Sequence, residues 1–93
     1  MRHLARRDTN HQEIVKAAQA VGASVVDLAN IGSGCPDILV GFRGVNYLVE
    51  IKDGSKAPSR RRLTPDERAF HKTWEGQVAV CAGVDDLLRV LGL

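Results

Sequence analysis

At 93 residues and 10.1 kDa the chain is read as a single domain, one that buries about 60 to 65 % of its unfolded surface. Its 44 % hydrophobic and 26 % charged residues exclude a disordered polar chain, and no run approaches the roughly 18 apolar residues of a membrane span. Net charge is only +2, yet Arg2, Arg6 and Arg7 crowd one end and Lys56, Arg60, Arg61 and Arg62 one short segment. That distribution fits a surface that tracks phosphates, with solvated loops as the other reading.

In chain order, Asp8 or Thr9 can cap a first helix that carries Ile14, Val15, Ala18 and Val21 at helical spacing and stops at Gly22. Residues 24–29 are β-branched and apolar and read as a first strand. Gly32, Ser33, Gly34 and Pro36 make 30–36 a loop. Residues 37–42 are extended, Arg43-Gly44 supplies a two-residue turn, and 45–52 alternate, so the three together form a hairpin.

Alternation places Val45, Tyr47, Val49 and Ile51 on one face of that second hairpin strand and Asn46, Leu48, Glu50 and Lys52 on the other. A turn at Arg43-Gly44 pairs Phe42 with Val45 and, counting outward, Asp37 with Glu50. Opposed residues hold their β-carbons about 4.5 to 5.5 Å apart. Two carboxylates so placed repel unless a positive charge lies between them.

Thr64-Pro65-Asp66-Glu67 carries the capping threonine, first-turn proline and glutamate of a capping box. The helix it opens runs through Ala69, Phe70 and Trp74 to Gly76; 77–82 then read as a fourth strand and 84–91 as a closing helix. Phe70 and Trp74 stand four apart, the spacing of a core stripe rather than of base-stacking residues. The predicted fold is mixed α/β: a small mixed sheet flanked by helices, with the fourth strand free to return parallel.

Pro36-Asp37 followed by Glu50-Ile51-Lys52 resembles the PD-(D/E)XK nuclease superfamily. The closer context, Gly32-Ser33-Gly34-Cys35-Pro36-Asp37-Ile38, Val49-Glu50-Ile51-Lys52 and Leu63-Thr64-Pro65, is similar to its VRR-NUC branch. The resemblance spans nearly all of residues 1–93 as a single VRR-NUC-like domain. It implies a restriction-endonuclease-like core, αβββαβ plus a C-terminal helix, like that of stand-alone phage-type members. It implies a metal-dependent endonuclease acting on branched, especially four-way (Holliday) junction, DNA.

The catalytic set is then Asp37, Glu50 and Lys52. The metal set is Glu13, Asp37, Glu50 and the carbonyl of Ile51, with Mg²⁺ or Mn²⁺ as cofactor and no other small-molecule cofactor. Facing carboxylates suit Mg²⁺, a hard cation with oxygen ligands at about 2.1 Å, and Lys52 would serve the attacking water and the charge that develops on the phosphate. Expected nucleic-acid contacts are Arg6, Arg7, Ser33, Gly34, Lys56, Arg60, Arg61, Arg62 and His71. Many VRR-NUC sequences carry glutamine where this chain has Glu67, which leaves that residue between a capping role and a catalytic one.

The competing class is a basic module that binds nucleic acid without cutting it. Two acids facing the backbone would only weaken such a module. His11-Gln12-Glu13 lacks the downstream cysteines of a zinc deaminase, and His3 and His71 read as surface residues. Cys35 and Cys81 are expected to be reduced and the protein to reside in the cytoplasm of a bacterial or phage-infected cell, away from membranes. One centre cuts one strand per visit, so a homodimer is expected, its contact supplied by apolar residues of the first or terminal helix.

Overall fold

The computed structural model describes residues 10–93. Asp8 and Thr9, the expected caps, and Arg2, His3, Arg6 and Arg7 lie outside the described residues. In order come α1 (His11–Ala20), β1 (Ser24–Asp27), β2 (Ile38–Phe42), β3 (Val45–Ile51), a 3-10 turn (Pro58–Arg60), α2 (Pro65–Thr73), β4 (Val78–Cys81) and α3 (Val84–Val90). Each expected element is present, most trimmed by a residue or two at the ends. No helix among the described residues is long and apolar enough to cross a membrane.

The sheet order is β1-β2-β3-β4, with β1-β2 and β2-β3 antiparallel and β3-β4 parallel. The hairpin register is the one that Arg43-Gly44 demands, since Phe42 pairs with Val45 and Ile38 with Val49. Both turn residues have positive φ, 51° at Arg43 and 80° at Gly44, as the tight hairpin turn that matches strand twist requires. Arg43 lays its guanidinium 4.8 Å from the centre of the Phe42 ring.

Asn10, rather than Asp8 or Thr9, occupies the position before α1, and its side chain caps nothing there. Its amide instead donates to the carbonyls of Lys52 at 2.9 Å and Ala82 at 3.0 Å, tying the helix start across the ends of β3 and β4. At the other end Gly22, with φ +93°, turns the chain out of the helix while the N–H groups of Gly22 and Ala23 satisfy the carbonyls of Gln19 and Ala18. Those are the paired bonds of a glycine-terminated helix.

The core lies between one face of the sheet and the pair α1 and α3. Ile14, Ala18, Leu87 and Leu91 meet Ile38, Val40, Phe42, Val49, Ile51 and Cys81 there. Val49 and Ile51 point into this layer, so Glu50 points to the opposite face. On that opposite face Val26, Leu39, Leu48 and Val78 occupy successive register positions across all four strands.

The expected core role of Phe70 and Trp74 is not what forms. Helix α2 buries none of its residues. The two rings stack on each other, centroids 5.2 Å apart and 15° from parallel, and Trp74 remains 46 % exposed. Helical spacing put both rings on one face, but no part of that face is buried.

Candidate active site

Asp37 stands just before β2, where the ladder changes. The register stops at Ile38 and Val49, so the expected Asp37–Glu50 pair is not a ladder pair. The Asp37 N–H donates to the Val49 carbonyl at 3.0 Å, and the Asp37 carbonyl accepts from the Leu28 N–H at 2.8 Å. Its carboxylate Oδ2 accepts from the Ile51 N–H at 2.7 Å. The side chain is therefore folded back across the end of β3 toward Glu50, held by a charge-assisted bond.

Glu50 is only 4 % exposed. Its carboxyl lies within hydrogen-bonding reach of those of Asp37 and Glu67, a contact that is a hydrogen bond only while one of the groups keeps its proton. Burial first, then Asp37, then Glu67, push the Glu50 carboxyl up to about 9. Its Oε1 is buried with no hydrogen-bond partner. Such a group costs stability, and buried carboxyls perturbed in this way cluster at functional sites.

Lys52 closes the group. Its Nζ lies 2.8 Å from Glu67 Oε1 and 3.8 Å from Glu50 Oε2. Glu67 completes the capping box as well, accepting from the Thr64 N–H at 2.8 Å while Thr64 Oγ1 accepts from the Glu67 N–H at 3.2 Å. Burial works to raise the Glu67 carboxyl, but Lys52 and the Thr64 N–H together outweigh it and hold it below the ordinary range. Spacing announced the box; the bond to Lys52 joins two elements far apart in the chain and has no local signature.

The glycine-rich loop is fitted against the same helix start. A β-carbon on Gly34 would run into the backbone of Asp66 and Glu67, and Gly34 has φ +79°. Cys35 borders the site, its thiol raised by burial, Glu50 and Asp37. His71, one turn beyond Glu67, is half-buried rather than on the surface; its Nε2 has no hydrogen-bond partner, and burial, aided by Lys52, keeps the ring below its usual range.

Among the described residues no group of three or more His, Cys, Asp and Glu side chains is gathered to hold a metal ion. Glu13 is exposed on α1, the helix on the other face of the sheet, and lines a cleft with Gly54, Arg61, Gly83 and Asp86. The structure does not bring it to Asp37 and Glu50. The Ile51 side chain is in the core, as alternation requires, and its N–H faces Asp37. Of the basic segment, Lys56, Arg60 and Arg62 are exposed, whereas Arg61 is half-buried in the cleft and helps lower Asp86 behind the Ala82 N–H, the larger cause. Ser33 is exposed at the tip of its loop.

No family model matches the chain, and no curated protein does. A solved structure described as a VRR_NUC domain does match, at a TM-score of 0.65 and 27 % identity, over 91 % of this chain and 97 % of that one. The chain is similar in fold and sequence to this VRR-NUC domain. Among the described residues its four-stranded mixed sheet with three α-helices is consistent with the restriction-endonuclease-like fold, and the likeness supports a nuclease-like domain.

Proposed function

We propose that this domain is a metal-dependent endonuclease that hydrolyses DNA phosphodiester bonds, with branched and four-way junction DNA as its substrate class. Asp37, Glu50 and Lys52 form the reacting centre, and Mg²⁺ or Mn²⁺ is the cofactor. One observation carries the reading. Two carboxyls are forced together, one of them 4 % exposed with an orphaned oxygen, beside a lysine whose ammonium lies 3.8 Å from that buried one. A domain gains no stability from that arrangement.

The residues fit a hard dication. Mg²⁺ is commonly held by one or two carboxylates with water completing its shell, and the unpartnered Glu50 Oε1 beside Asp37 is the kind of oxygen it takes. Asp37 and Glu50 would hold it, with the Ile51 carbonyl as the further ligand that the resemblance assigns. When bound, the ion supplies a more acidic water and Lewis-acid stabilisation of the phosphate.

The Asp37 bond to the Ile51 N–H keeps that carboxylate oriented before substrate arrives. Lys52 holds its ammonium at the carboxyl pair, where it can meet the charge that grows on the phosphate as water attacks phosphorus and the P–O ester bond breaks. Exposed Lys56, Arg60, Arg62 and Ser33, with half-buried His71 and Gly34 behind them, are the phosphate-tracking surface of this reading. Arg61, turned into the cleft, is the weakest of the expected contacts.

The test is cleavage of labelled linear duplex, flap and four-way junction DNA with Mg²⁺, Mn²⁺ and EDTA. The expected result is metal-dependent nicking, strongest on the junction, lost in Asp37→Ala, Glu50→Ala and Lys52→Ala while each variant stays folded. Binding without cutting under every condition would return the domain to the non-catalytic basic module, and near wild-type cutting by Glu50→Ala or Lys52→Ala would remove the site.

A further inference from the structure

Glu67 holds two elements with one oxygen. Its Oε1 accepts the Thr64 N–H at 2.8 Å, closing the box that starts α2, and the same atom accepts Lys52 Nζ, from just beyond β3, at 2.8 Å. Lys52 is thus a full ångström nearer to Glu67 than to Glu50, whose Oε2 is 3.8 Å away. Resting on the nuclease reading above, we infer that Glu67 is a positioning residue that fixes the Lys52 ammonium at the point where it meets the scissile phosphate.

A lysine is a point charge on a flexible four-carbon stem, and a loose one must be ordered anew at every turnover. Here the ordering is done in advance. The side chains of Lys52 and Glu67 are only 14 % and 17 % exposed, so their charge-assisted bond is screened far less than a surface pair. Glu67 is itself oriented without help from the lysine, by the Thr64 N–H and by its place in the first turn of α2, where the helix favours a negative charge. The loop at Gly34 backs that turn, leaving its backbone no room to withdraw toward it.

A glutamate that only capped the helix would matter for stability alone, and four substitutions separate the roles. Thr64→Ala deletes the hydroxyl acceptor of the box but keeps the Thr64 N–H and the Lys52–Glu67 bond. Glu67→Gln keeps an oxygen acceptor for both donors. Glu67→Ala removes both bonds, and Glu67→Asp keeps a first-turn carboxylate that is too short to reach Lys52. The readouts are melting temperature, the ammonium ¹⁵N–¹H signal of Lys52 in lysine-labelled protein, and kcat and KM for nicking a labelled four-way junction with Mg²⁺.

The Lys52 signal is expected in the wild type, Thr64→Ala and Glu67→Gln, and is lost in Glu67→Ala and Glu67→Asp. In those last two kcat falls about 100-fold at nearly constant KM, while Glu67→Gln stays within about tenfold of the wild type because a neutral acceptor is weaker, not absent. Thr64→Ala melts earlier yet keeps its kcat. A Lys52 signal that is missing from the wild type or survives in Glu67→Asp overturns the proposal, as does a kcat that follows melting temperature across the series. A wild type that cuts no DNA while the Lys52 signal depends on Glu67 as described would refute the nuclease reading alone.

Discussion

Glu50 keeps its proton to about pH 9 in the folded domain, whereas an unfolded glutamate loses it near the ordinary value of 4.5. Between those limits the folded state binds one proton more than the unfolded state. Its stability therefore falls as pH rises, by at most about 1.4 kcal/mol per pH unit from this group. Metal-free protein is expected to melt at progressively lower temperature from pH 5 to pH 8.5, and Glu50→Gln, which needs no proton to be neutral, to flatten that decline and melt above the wild type at pH 8. A Glu50→Gln curve as steep as the wild-type curve would assign the dependence to another group. In the proposed reading Mg²⁺ or Mn²⁺ held by Glu50 displaces the same proton, so the stabilisation each ion gives should grow over the same window. The closeness of Asp37 and Glu50 was legible because a two-residue turn admits a single register. The Asp37 bond to the Ile51 N–H was not, because it appears only where the ladder breaks, and the burial of Glu50 depends on α2 and the 28–37 loop, which strand alternation does not see.

Helix α2 shows how far local rules reach. Its start was readable from Thr64, Pro65 and Glu67 because a capping box is a contact between residues three apart. What the helix lies against was not readable, because the period that aligns Phe70 with Trp74 says which residues share a face and nothing about what covers it. The contact that places this helix runs through Gly34 instead. Gly34→Ala would need a left-handed backbone in a residue with a β-carbon and would drive that carbon into Asp66 and Glu67. It is expected to destabilise the domain by about 2 to 4 kcal/mol, whereas Gly32→Ala, with a similar φ of +81° and open space around it, should cost about 1 kcal/mol. Denaturant midpoints of the two variants check the difference, and equal losses would show that α2 yields to the loop.

At the scale of the whole molecule the question is how one small centre serves a two-stranded substrate. In the proposed reading each visit breaks one strand, and a four-way junction offers two scissile phosphates related by a near two-fold axis, which a closed pair of identical subunits matches. The expectation that α1 or α3 supplies the contact meets a difficulty, since Ile14, Ala18, Leu87 and Leu91 are committed to the core. Of the large apolar side chains among the described residues, the two most exposed lie elsewhere: Ile31, 63 % exposed, in the loop after β1, and Val26, 54 % exposed, at the β1 end of the row that crosses the sheet, ahead of Leu93, 52 % exposed, just past α3. Because β1 is an edge strand, a partner there would cover unpaired backbone as well as apolar surface. Light scattering at micromolar concentration is expected to give twice the 10.1 kDa of one chain, and Val26→Asp, which puts a charge into that row without touching Asp37, Glu50 or Lys52, to return it to one. A wild-type mass near 10.1 kDa would remove the dimer. With a dimer in hand, the wild type should open both strands of a junction within one binding event, and Val26→Asp should release singly nicked junction before the second cut.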